Sequence, residues 1–181
     1  MRKLRQSIVL IGMMGAGKTA VGTELARRLS AKFVDSDAEI ETAAALTVSE
    51  IFQRYGEGFF RDRETQVLDR LLSGRPGVLA TGGGAWVQPR NRELIAQSGV
   101  SVWLDCDVET LWRRVRARPN RPLLQTPDPR GTLERLLDAR RPVYAQADVA
   151  VAVAPDDALA ATVEKVLTAI RTARPEVLEP A

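Results

Sequence analysis

The run Ser7-Ile8-Val9-Leu10-Ile11-Gly12-Met13-Met14-Gly15-Ala16-Gly17-Lys18-Thr19 decides the fold. Its first five residues are a short aliphatic, β-branched stretch of the kind that forms a buried strand. The next eight match G-x-x-x-x-G-K-[ST], the phosphate-binding loop. From Lys18 to Leu29 the apolar positions Val21, Leu25 and Leu29 share one helical face, so the loop joins a strand to a helix. Glycines let such a loop curl until several N–H groups face one phosphate cluster, and the helix adds its positive N-terminal end. Lys18 is expected to reach the β- and γ-phosphates of ATP, and the Thr19 hydroxyl to ligate Mg²⁺. Gly12, Gly15, Ala16, Gly17 and Ala20 join them in the expected ATP-binding set. A glycine-rich turn without nucleotide is the alternative, and the strand–loop–helix context weighs against it.

Working outward, the pattern alternates. Phe33-Val34 reads as a second strand ending in Asp35-Ser36-Asp37, and Thr47-Val48-Ser49-Glu50 as a capping box opening a helix through Phe52. Glu57 to Leu72 places Phe60, Val67 and Leu71 on one stripe. Strands are expected at Gly77–Ala80, Val100–Leu104 and Val149–Val153, and helices at Val108–Arg118, Thr132–Tyr144 and Asp157–Arg171. Pro119, Pro122, Pro127 and Pro129 make the intervening stretch too broken for regular structure. The tail 172–181 is expected to be loose. Strands alternating with helices imply an α/β fold, a doubly wound five-stranded parallel sheet, in one domain with a core of about 6–171. Such sheets bind ligands at the carboxyl ends of their strands, where Asp35, Asp37 and Gly82-Gly83-Gly84 all fall.

Composition narrows the chemistry. The chain has 181 residues, 45% hydrophobic and 27% charged, which suits one globular domain. The basic start leads straight into the Gly-Lys-Thr loop without a cleavage-type site, so it is read as the approach to a strand and not as a signal peptide. The apolar runs are too short to span a bilayer, and the lone Cys106 has no internal disulfide partner. A cytoplasmic protein is expected. With no histidine, His-based acid–base chemistry and His-ligated metals are excluded, so a general base must be a carboxylate, lysine, tyrosine or Cys106. Arginines number 22 against 4 lysines, and nine of them lie between Arg113 and Arg141. Their planar forks suit phosphate and carboxylate, although most of the nine read as a solvated face. A net charge of +3 is weak support for a nucleic-acid partner.

Further motifs separate the P-loop classes. An Asn-Lys-x-Asp guanine-reading motif is absent, and the chain is short for a helicase or transporter ATPase. Asp35 and Asp37 can divide the work of holding Mg²⁺ and facing a substrate hydroxyl, or they can simply cap a helix. Arg61 and Glu64 are three apart and so adjacent on a helix face, and an ion pair there would hold Arg61 towards the pocket. Three consecutive glycines, Gly82 to Gly84, forgo packing at an entropic cost, which close backbone approach to a ligand would justify, with a plain tight turn as the alternative.

Taken with Arg121-Pro122-Leu123-Leu124 and Arg140-x-Pro142-Val143-Tyr144, these pieces resemble the shikimate kinase family in order and spacing from Ser7 to about Ile170. The resemblance implies a nucleoside-monophosphate-kinase-like fold with a substrate-binding segment at about 35–64 and a mobile lid at about 114–130. It implies Mg²⁺- and ATP-dependent phosphorylation of the shikimate 3-hydroxyl, on the way to chorismate and the aromatic amino acids, by a monomer. Carried over, Asp35 supports Mg²⁺ with Thr19, and Asp37 binds the substrate hydroxyls and orients or deprotonates the attacking one. Arg61 and Arg140 clamp the carboxylate, Glu64 holds Arg61, and Gly82, Gly83 and Gly84 contribute backbone. Lys18 and Arg121 serve the transferring phosphate, and Arg114 stacks on adenine, so Arg114 and Arg121 also belong to the expected ATP-binding set. Val143 stands where leucine is usual, and Ala154–Asp157 lacks a basic residue that some members place against adenine. A kinase for gluconate or another hydroxy acid is the rival. A protein holding ATP without catalysis, or a nucleic-acid module, would be of another class.

Overall fold

The computed structural model describes residues 4–118 and 121–178. Five strands, β1 (Ser7–Ile11), β2 (Phe33–Asp35), β3 (Val78–Ala80), β4 (Gly99–Asp105) and β5 (Val149–Ala152), form one parallel sheet in the order β2-β3-β1-β4-β5. Among the described residues, seven α-helices accompany it: α1 (Lys18–Leu29), α2 (Ser36–Ala44), α3 (Val48–Leu72), α4 (Pro89–Ser98), α5 (Val108–Val115), α6 (Pro129–Tyr144) and α7 (Leu159–Ala173). Helix α1 packs with α7, and α4 packs with α3 and β4. Every residue of β1 is buried, because a central parallel strand is covered on both faces. Edge strand β5 alternates instead, with Val149 and Val151 inward.

Strand order reverses at β1, which pairs with β3 on one side and β4 on the other. That switch point is where open α/β sheets leave a crevice beyond the strand ends. Register brings the loops together there. Leu10 pairs with Ala80 and Asp35 also pairs with Ala80, so the segments after β1, β2 and β3 leave the sheet side by side. Thr81 strengthens the join by donating both its N–H and its hydroxyl to the Leu10 carbonyl.

Several sequence expectations are corrected. Helices α2 and α4 were not anticipated. Asp35 ends β2 and caps α2, accepting hydrogen bonds from Asp37 and Ala38, so Asp37 sits in a first helical turn and not on a strand. The capping box of Thr47 and Glu50 forms as expected. Its helix, however, runs on to Leu72 through a break at Gly56, whose φ of 80° is left-handed. The inward stripe beyond the break is Phe60, Glu64, Leu68 and Leu72, displaced by one position from the expected Phe60, Val67 and Leu71. A buried glutamate on that stripe is what the hydrophobic pattern could not show.

The proline-rich stretch is more ordered than expected. Pro122–Leu124 makes a 3₁₀ turn, and α6 begins at Pro129, where a missing N–H costs nothing and Asp128 supplies the cap. The expected position of Pro119 lies outside the described residues. Nor are residues 172–178 of the tail loose: α7 reaches Ala173, Val177 and Leu178 are buried in the core, and Leu178 bridges Leu4. Residues 179–181 lie outside the described residues. Among the described residues, no helix is long and apolar enough to cross a membrane.

Candidate active site

A cavity of about 590 Å³ opens at the carboxyl edge of the sheet, lined by Thr19, Asp35, Asp37, Arg61, Glu64, the Gly82–Gly84 turn, Arg121 and Arg140. At one end stands the loop between β1 and α1. Gly12, Gly15 and Gly17 all have positive φ, and Gly17 begins α1 with no side-chain cap, leaving the first N–H groups of the helix directed at the loop. The Lys18 ammonium curls back onto the Gly12 and Met13 carbonyls at 2.7 and 2.9 Å. Burial lowers its pKa to about 8, against the opposing pull of Asp37. Ala16 is buried beneath the loop, its N–H spent on Met13, while Ala20 lies exposed in the first turn of α1.

Thr19 Oγ1 donates to Asp35 Oδ2 at 3.0 Å. The other Asp35 oxygen is occupied by the α2 cap, so one hydroxyl and one carboxylate oxygen are paired beside the loop. Two hard oxygen donors and no further protein ligand suit Mg²⁺, which keeps much of its water and takes other oxygens from phosphate. Among the described residues, no cluster of three or more His, Cys, Asp or Glu could hold a metal.

Asp37 faces the middle of the cavity. Its Oδ1 is buried without a hydrogen-bond partner. Burial, reinforced by Asp35, pushes its carboxyl up to about 6. Gly82 permits this approach, since any side chain there would stand within 3 Å of the carboxylate.

Two guanidinium groups also line the cavity, and Arg140 reaches the Met13 sulfur of the loop at 3.8 Å. Arg61 Nη1 donates to both Glu64 oxygens at 2.9 and 3.1 Å, and Glu57 takes its other edge. Glu64 is only 1% exposed, and burial raises its pKa to about 7 despite Arg61. A side chain on Gly84 would collide with the Arg61 guanidinium, and one on Gly83 would crowd Arg140. Arg140 and Arg141, indistinguishable by composition, divide cleanly: Arg141 bonds Asp105 at 2.9 Å, whereas Arg140 enters the cavity.

The structure thus brings together Thr19, Asp35, Asp37, Arg61, Glu64, Gly82 to Gly84, Arg121 and Arg140 around one space. Arg114 is placed apart, on the outer side of the loop, donating to the Gly15 carbonyl at 3.1 Å. Sequence reasoning passed over the apolar wall formed by Phe52 and Phe60, whose rings lie 4.8 Å apart. These two are eight apart across the Gly56 break, so helical periodicity could not pair them. Glu41, Thr47, Val48 and Ser49, also in the lining, lie where α2 and α3 meet, an arrangement that requires the unanticipated α2.

With this geometry in place, comparison with known proteins is decisive. The family model described as Shikimate kinase matches residues 14–171. A shikimate kinase of Cereibacter sphaeroides is 56% identical over 99% of this chain and 89% of its own length. The structure of a shikimate kinase from Acinetobacter baumannii in complex with shikimate superposes with a TM-score of 0.87 at 42% identity, covering 93% of this chain and 94% of that one. A gluconokinase from Sinorhizobium meliloti shares the fold alone, at 20% identity and a TM-score of 0.62 over 96% of each chain.

Proposed function

The chain belongs to the shikimate kinase family, an ATP-dependent transferase acting on shikimate, and from that premise we propose how its own residues divide the work. One observation carries the reading: a single cavity is lined by Thr19 and Asp35 beside the phosphate loop and by the guanidinium groups of Arg61 and Arg140, with the Asp37 carboxylate within the electrostatic reach of both Lys18 and Arg61. A triphosphate fits the loop, and an organic carboxylate fits the guanidinium pair.

In this reading Arg61 and Arg140 grip the substrate carboxylate, and Glu64 holds the Arg61 fork at a fixed angle. Phe52 and Phe60 cover an apolar face of the ring. The 3-hydroxyl is thereby presented to Asp37, which aligns it and takes its proton. A carboxylate raised to about 6 is poised for that exchange near neutral pH. The hydroxyl oxygen forms a bond to the γ-phosphorus, the bond from that phosphorus to the β–γ bridging oxygen breaks, and ADP leaves. Little covalent chemistry is asked of the protein, so positioning and positive charge dominate. Lys18 exchanges the Gly12 and Met13 carbonyls for phosphate oxygens, which restores its full charge. Arg121, within the electrostatic reach of Lys18, adds charge from the lid at about 114–130. Arg114, against the outer side of the loop, stacks on adenine. Thr19 and Asp35 would hold Mg²⁺, which when bound neutralises phosphate charge. The protein works as a cytoplasmic monomer.

The test is incubation with ATP, Mg²⁺ and either shikimate or gluconate, followed by phosphorus NMR. A new phosphate monoester resonance with shikimate alone is expected. Equal or faster turnover of gluconate would reject the substrate assignment.

A further inference from the structure

The glycine turn beside the cavity has an internal freedom that the rest of the site lacks. Ala85 N–H bonds the Gly82 carbonyl at 3.1 Å, closing a four-residue turn whose central peptide joins Gly83 to Gly84. Gly84 has φ −96° and ψ −8°, and Gly83 is not among the positive-φ glycines, which makes this a type I turn. A type II turn differs by a half-rotation of the central peptide and demands positive φ at the third position, which glycine there supplies without penalty. Sequence alone therefore leaves this peptide free to face either way.

Tyr144 removes the choice. It is 0% exposed, at the end of α6, one turn beyond Arg140. Its hydroxyl donates to the Gly83 carbonyl and touches the Met13 sulfur at 3.6 Å. Its ring packs against Trp103, with centroids 5.9 Å apart, while Trp86 Nε1 bonds the neighbouring Val143 carbonyl at 2.8 Å. The phenol is thus fixed from three sides. The Gly83–Gly84 peptide is trans, so the Gly84 N–H points opposite to the captured carbonyl. It emerges at the one glycine whose missing side chain makes room for the Arg61 guanidinium.

We propose that Tyr144 is a positioning residue: its hydroxyl latches the Gly83–Gly84 peptide in the type I orientation, so that the Gly84 N–H is presented to the same anionic group that Arg61 receives. The inference rests on the substrate reading above. Without the latch the turn samples type II, and the pocket exchanges a donor for a carbonyl oxygen facing an anion.

Tyr144→Phe keeps the ring and its packing and removes the hydroxyl, and with it the latch and the weaker contacts to the Met13 sulfur and Arg140. The expected result is a rise of about tenfold in KM for shikimate, the loss of one charge-assisted hydrogen bond, with KM for ATP unchanged to within about twofold. Unchanged KM for shikimate, or a parallel rise in both values, overturns the proposal. A second measurement needs no variant. In ¹⁵N-labelled wild-type protein, saturating shikimate should move the Gly84 amide proton downfield, and an unmoved resonance overturns the proposal whether or not Tyr144→Phe folds. Wild-type protein assayed alongside separates the two claims, since failure to phosphorylate shikimate would reject the substrate reading itself.

Discussion

Asp37 is where folding and chemistry conflict most directly. Burial and the neighbouring Asp35 hold its carboxyl at about 6, against 3.8 for a free side chain. The folded protein therefore binds more protons than the unfolded chain between those values. The contribution is fully present below pH 3.8 and is lost as pH rises through 6. Asp37→Asn should abolish this dependence, making the ligand-free protein more stable than wild type by on the order of 2 kcal/mol at pH 8 and about equal to it at pH 4. Thermal melts at both values check this. The same substitution should cost about 10²–10³-fold in kcat, and wild-type kcat/KM should fall about tenfold per unit below pH 6. Lys18→Ala removes the mobile ammonium and should lower kcat by about 10²–10³-fold, measured in a coupled ATPase assay. Arg61→Ala should raise KM for shikimate and spare KM for ATP. It should also destabilise the fold by about 3–5 kcal/mol, because Glu64 would stay buried without its partner. Which acids and arginines to consider was legible from motif and spacing. What enforces their division was not: Asp37 Oδ1 is buried without a hydrogen-bond partner, and Arg141 is held by Asp105, a group distant in sequence.

At the scale of elements, the break within α3 matters most. Ile51 and Phe52 before the break and Phe60 beyond it cluster with Ile40 of α2, while Leu68 and Leu72 reach the main core, so Gly56 sets the angle at which Phe52 meets Phe60. A side chain at Gly56 would meet nothing within 4 Å, but its φ of 80° strains any other residue by about 1–2 kcal/mol. Gly56→Ala should therefore lower Tm by roughly 2–8 °C and raise KM for shikimate, with ATP binding unaffected. Calorimetry and initial rates test the two halves. The helix following the phosphate loop was readable to the residue, because a glycine start and one apolar face mark it locally. The short α2 was not, since its cap is a residue already claimed by a strand.

For the whole molecule, the residues at both ends of the described chain are part of the fold. Leu4 bridges Leu178, Val177 is buried, and Arg174 ties the tail to Asp148 at 2.7 Å, which in turn bonds Ser101 of β4. Burying Val177 and Leu178 is worth about 3–6 kcal/mol in apolar area. Truncation after Arg174 should lower Tm by roughly 6–24 °C while leaving both KM values near wild type, because this end lies at the opposite edge of the sheet from the cavity. Denaturation curves and kinetics on the truncated chain decide it.

Local rules were enough to read the parallel sheet, the phosphate loop and the candidate residues, since a strand–glycine–helix junction, a capping box and an i,i+3 ion pair each act within a few residues. The orientation of Gly83–Gly84, the isolation of Asp37, the capture of Arg141 by Asp105 and the burial of Leu178 belong to the tertiary structure. Each depends on a neighbour between 36 and 174 positions away, and only packing brings such groups within hydrogen-bonding range or strips them of water.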